Sequence, residues 1–101
     1  MSVVEIFVPA FDNQGKRFPK KMHLQVKTEL LNKFSGLTAY NRAPAEGLWR
    51  KGKALSNDTM IVYEIMVQRF DFHWWHRYRK ALQKRFRQES LLMRRFPVRV
   101  I

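Results

Sequence analysis

Apolar side chains along this chain recur with two different periods, and the switches between them mark out six elements. From Val3 to Phe11 the period is two. Val4, Ile6, Val8 and Ala10 share one face and Val3, Glu5, Phe7 and Pro9 the other, which predicts a strand. Asp12-Asn13-Gln14-Gly15 is a turn signal. The period then changes to four. Pro19 suits the first position of a helix that runs to about Phe34, with Met22, Val26, Leu30 and Phe34 on one stripe and Leu24 and Leu31 widening it. Gly36 is placed to cap that helix in a left-handed conformation.

Leu37 to Arg42 reads as a short strand, interrupted by Ala43-Pro44-Ala45-Glu46-Gly47. Leu48-Trp49-Arg50 either resumes it or belongs to a loop, and Lys51-Gly52-Lys53 and Ser56-Asn57-Asp58 are turn material. Met60 to Gln68 alternates strictly, with Ile61, Tyr63, Ile65 and Val67 against Met60, Val62, Glu64 and Met66. Asp71 is the expected N-cap of a second helix whose buried stripe is Trp75, Tyr78, Leu82 and Phe86. Leu91 to Met93 and Val98 to Ile101 predict a last strand, broken near Pro97. Proline cannot donate to a ladder, so this strand belongs at an edge or bends there.

The order β-α-β-β-α-β in 101 residues predicts one domain, residues 1–101, of the α+β class. The matching plan is the ferredoxin-like split β-α-β, a four-stranded antiparallel sheet with both helices on one face.

Charge alters the picture most in the last third. Residues 68–101 carry ten Lys/Arg and two acids, residues 1–67 ten and six, and the chain as a whole is at +12. Such a density of positive charge attracts polyanions: nucleic acid, an acidic protein surface or an anionic membrane. The absence of cysteine excludes disulfides, thiolate metal sites and cysteine nucleophiles. Met-Ser-Val-Val-Glu-Ile lacks the basic and apolar regions of a signal peptide, and no apolar run approaches the ~20 residues that span a bilayer. The expected location is the cytoplasm.

Two stretches carry a family resemblance: Arg42-Ala43-Pro44-Ala45-Glu46-Gly47-Leu48-Trp49, and Trp74-Trp75 followed by Tyr78-Arg79 and Phe86-Arg87-Gln88-Glu89. With them the chain resembles small uncharacterised bacterial proteins of ferredoxin-like fold. The resemblance spans nearly the whole chain. It implies the fold and a dimer, and it brings no catalytic residue and no cofactor.

Three constellations remain as candidate chemistry. Strand parity places Glu5 and Glu64 on the sheet face away from the helices, with Thr38, Tyr40 and Arg42 on the same side and Arg94 or Arg95 within reach. Neighbouring carboxylates repel and can make an acid/base pair. The alternative is an ion network with Arg42 and Arg94, on a face whose Phe7, Val62 and Met66 would support a homodimer. His73 and His76 are three apart, but a metal needs a third ligand, for which only His23 or Asp71 is at hand. Adjacent Trp74 and Trp75 diverge by about 100° on a helix, so with Trp75 in the core, Trp74 either lines the helix seam or offers a stacking surface.

No Gly-rich phosphate loop and no nucleophile elbow occurs. Ferredoxin-like RNA binders carry stacking aromatics on the central strands, whereas here that face offers Phe7 but mainly glutamates, so nucleic acid is expected on the helix side. The leading function is therefore binding of nucleic acid or another polyanion without strong sequence preference, through Arg77, Lys80, Lys84 and Arg87 with Trp74, and with Arg69, Arg94, Arg95 and Arg99 as outlying charges. Two other classes stay open. One is a homodimeric module that docks an acidic protein; the other is a small-ligand site or enzyme on the open sheet face using Glu5 and Glu64. A membrane-surface role is the remaining one.

Overall fold

A computed structural model describes residues 1–42 and 59–101, with the side chain of Arg42 set aside. The elements in chain order are β1 (Ser2–Pro9), α1 (Lys20–Lys33), β2 (Thr38–Arg42), β3 (Met60–Val67), α2 (Phe72–Arg85) and β4 (Met93–Pro97). The four strands form one antiparallel sheet in the order β2-β3-β1-β4. The sequence expectations for residues 43–58, including Leu48-Trp49-Arg50, both turns and most of the first resemblance stretch, lie outside the described residues.

Alternation in β1 and β3 sets the architecture. Val4, Ile6 and Val8 point to the same face as Tyr63, Ile65 and Val67, and these six join Val26 and Leu30 of α1 and Trp75 and Leu82 of α2 in one buried cluster. Both helices therefore cover one face of the sheet, because that is the only way two amphipathic stripes and a period-two strand face can exclude water together. Phe18 and Phe86 close one end of this core edge to face at 5.0 Å. At the other, Phe34 stacks on Trp75 at 5.1 Å.

Several local expectations are corrected. Pro19 is the N-cap of α1 and not its first helical residue. Leu24 and Leu31 do not widen the core stripe: they are 61% and 52% exposed, because α1 buries only the narrow line through Val26 and Leu30. Gly36 does not cap α1. The helix ends at Phe34, which turns extended so that its ring can reach the tryptophans, and among the described residues the glycine with a positive φ is Gly15, in the turn after β1. Val98 to Ile101 do not continue β4. Pro97 already pairs with Ser2 at the start of β1, so beyond Val98, whose N–H reaches the Met1 carbonyl, there is no strand left to pair with.

Candidate functional site

The helix layer carries the charge. α1 contributes Lys20, Lys21, Lys27 and Lys33 and α2 contributes Arg77, Arg79, Lys80, Lys84 and Arg85, nine cations against the single carboxylate of Glu29. That carboxylate is already spent. It accepts from both ends of the Arg85 guanidinium at 2.9 and 3.0 Å and from the Tyr78 hydroxyl at 2.8 Å, tying α1 to α2. Burial opposes ionisation of Glu29, but the Arg85 and Tyr78 hydrogen bonds outweigh it and hold its carboxyl below the usual value. Burial, helped by Glu29, pushes the Tyr78 hydroxyl well above its ordinary range, so it stays a donor.

Arg77, Lys80 and Lys84 are exposed on α2, as their spacing predicts. Arg87 is exposed too, but it lies past the helix end in a left-handed conformation, φ 53°. Its guanidinium sits 5.8 Å over the ring of Phe18, two residues before α1. The basic surface thus wraps from α2 toward Arg17, Lys20 and Lys21.

Trp74 does not stand out as a stacking surface. It is half-buried in the helix seam, edge-on to Phe34 at 5.5 Å and stacked on Tyr78 at 5.0 Å, with the Lys33 ammonium 4.9 Å over its ring. The exposed aromatic of α2 is Phe72, 63% accessible and stacked on His76 at 5.7 Å. Sequence reasoning missed it because it precedes the buried stripe. His76 is engaged as an acceptor: its Nδ1 takes a hydrogen bond from the Arg79 guanidinium at 3.3 Å. Among the described residues no group of three metal-ligating side chains comes together.

On the opposite sheet face, Glu5 and Glu64 are direct cross-strand partners, with Thr38 beyond Glu64 and Arg94 beyond Glu5. The Arg94 Nε donates to Glu5 at 2.8 Å, and its guanidinium lies 5.1 Å from the Phe7 ring. Tyr40 shares this face at the outer strand, opposite Val62. Two of the apolar side chains expected to support a dimer here, Phe7 and Val62, are already buried within the single chain. Met66 remains half exposed.

Two clefts flank the helices. The larger, about 640 Å³, lies between α1 and the β2 edge, where Arg17, Lys20, Lys21 and Lys27 surround a floor containing His23 and Tyr63. The smaller, about 290 Å³, lies between α2 and the β4 edge, lined by Phe70, Phe72, Trp75, His76, Arg79 and Arg95 among others. The sequence signal for Arg79 was available but unread: it falls between Trp75 and Leu82, on the side of α2 that turns inward.

The described residues define a small α+β fold with a cationic helix layer over one sheet face and a carboxylate pair on the other. Comparison with family models, with curated proteins and with solved structures finds no match. Among the described residues no helix is long and apolar enough to cross a membrane.

Proposed function

We propose that this chain binds polyanions, nucleic acid first among them, across its helix layer, with Arg77, Lys80 and Lys84 of α2 and Arg87 beyond it as phosphate contacts. The observation that carries the reading is the charge imbalance of that layer: nine cations, and one carboxylate committed to Arg85. Phosphates that neutralise these side chains release condensed counterions, which supplies affinity without sequence preference. Among the described residues of the other face Glu5 is already paired with Arg94 and Glu64 stands beside it, so that face offers phosphate no comparable excess of cations.

The architecture itself is read as ferredoxin-like. Taken from the other edge the strand order is β4-β1-β3-β2, and each helical connection skips one strand, which is what the split β-α-β plan requires. The resemblance to small bacterial proteins of that fold points the same way.

The test is a salt titration of binding to labelled single- and double-stranded nucleic acid with heparin as competitor. Binding that persists near physiological salt, and that Lys80→Glu with Lys84→Glu abolishes while the fold is kept, is the expected result. Absence of binding at that salt, or indifference to both substitutions, refutes the reading. Capture of an acidic protein in place of nucleic acid would identify the other partner class.

A further inference from the structure

Arg79, which lines the cleft between α2 and β4, carries a buried polar group with no partner among the described residues. The Nε of Arg79 is buried and finds no acceptor among the described residues. Among the described residues its guanidinium makes one hydrogen bond, at 3.3 Å, to His76 Nδ1. Since arginine only donates, that nitrogen is the acceptor, and the imidazole in this contact carries its proton on Nε2. Neither carboxylate engaged in an ion pair reaches Arg79, because Glu29 takes Arg85 and Glu5 takes Arg94. A second guanidinium lines the same cleft. Arg95 is in register with Val4 on the helix-covered face, donates from Nε to Ser2 at 3.2 Å and lies 4.7 Å over the Phe70 ring. Arg94 also borders the cleft, but its Nε is held by Glu5 on the far face.

We propose that this cleft binds a small organic oxyanion, a carboxylate or phosphate carried on a planar ring, with the oxyanion on Arg79 and Arg95 and the ring against Phe72. A small turn of the Arg79 side chain brings its buried Nε to the cleft, where an oxyanion supplies the acceptor that Nε lacks, and the planar guanidinium fork matches carboxylate and phosphate oxygens in pairs. Val4, Trp75 and Met93 give the cleft an apolar floor, which strengthens such a pair by keeping water away. The volume of about 290 Å³ is near the small end of the roughly 300–1,000 Å³ that hold organic ligands, which favours one ring over a polymer. Phe72, already stacked on His76 and open to solvent, offers a flat surface at the rim. The inference does not rest on polyanion binding, since Arg77, Lys80 and Lys84 take no part in the cleft.

The experiment follows the Arg79 Nε–H resonance by NMR during titration with benzoate and, separately, phenyl phosphate, up to millimolar ligand. A saturable movement of that resonance is expected, and the tighter probe names the anion. Arg79→Lys keeps the charge and removes the fork, and it is expected to weaken binding by about tenfold or more, on the order of one charge-assisted paired contact. Lys16→Arg, in the exposed turn after β1 and away from the cleft, leaves affinity unchanged. If the amide spectrum shows that Arg79→Lys has not folded, Arg95→Gln replaces it, with the same loss expected. A resonance that stays still with both probes, or equal binding by the folded variant, overturns the proposal whatever the nucleic-acid titration shows.

Discussion

His23 is kept neutral by its surroundings. Its Nε2 meets the Pro9 carbonyl at 3.3 Å, and since a carbonyl only accepts, that nitrogen carries the proton. Nδ1 is then free to accept from the Tyr63 hydroxyl. Burial lowers the His23 pKa below its ordinary 6.5, the charges of Lys27 and Arg17 lower it further, and the Pro9 hydrogen bond only partly opposes them. The unfolded chain therefore takes up this proton first as pH falls. Stability attributable to His23 is complete above about pH 6.5 and declines below it until the depressed folded-state pKa is passed. Denaturant unfolding across pH 7.5 to 5 should show a slope in this window, flattened in His23→Gln; an unchanged slope in that variant refutes the assignment. The same scale explains where sequence reasoning about Trp74 stopped. An indole beside arginines is compatible with stacking, but Phe34 arrives from the end of α1 and fills the space, a contact that no local pattern encodes.

The two helices begin with opposite chemistry. α2 starts at Asp71, whose carboxylate accepts from the Trp74 N–H at 3.1 Å, so an orphan donor is satisfied and a negative charge meets the positive helix end. Asp71→Ala should cost about 1 kcal/mol, read as a lower denaturant midpoint with unchanged slope. α1 starts at Pro19 with no side-chain cap and no acid in its first turn, and its first two residues are lysines. Lys20→Glu should therefore stabilise the protein by about 0.3–1 kcal/mol at low ionic strength, a gain that fades as salt is added. A lower melting temperature in that variant would show that Lys20 has a partner worth more than the helix dipole. Strand periodicity was legible because alternation is local: β1 and β3 lie within one or two residues of where it places them. Element ends were less so. Phe34 stops α1 by turning to the tryptophans, and β4 stops where β1 runs out.

At the scale of the whole molecule, the described residues concentrate unpaired cations on the helix layer, whereas the sheet face pairs Glu5 with Arg94. Helix-layer cations and sheet-face carboxylates lie on opposite sides of a four-stranded sheet. If the helix layer binds nucleic acid, the logarithm of affinity should fall linearly with the logarithm of salt. Replacing Lys80 and Lys84 by glutamine should then reduce the slope by about 2, one for each lost phosphate contact. Glu64→Gln on the other face should leave that slope as it is, and a changed slope there would place the polyanion on the wrong side of the sheet. From sequence alone, parity already put Glu5 and Glu64 on one face, the helix stripes put Trp75, Leu82, Val26 and Leu30 in the core, and composition established the net charge of +12. These follow from periods of two and 3.6 residues and from counting, which need no knowledge of what packs against what. Only the tertiary structure decided that Glu29 is consumed by Arg85 and Tyr78, that Trp74 is half-buried while Phe72 is open, and that the Arg79 Nε is buried without an acceptor among the described residues, in a cleft that Arg95 also lines. Each of these joins residues from different elements, and their distances are set by how the helices settle on the sheet, a many-body packing outcome that no short window of sequence contains.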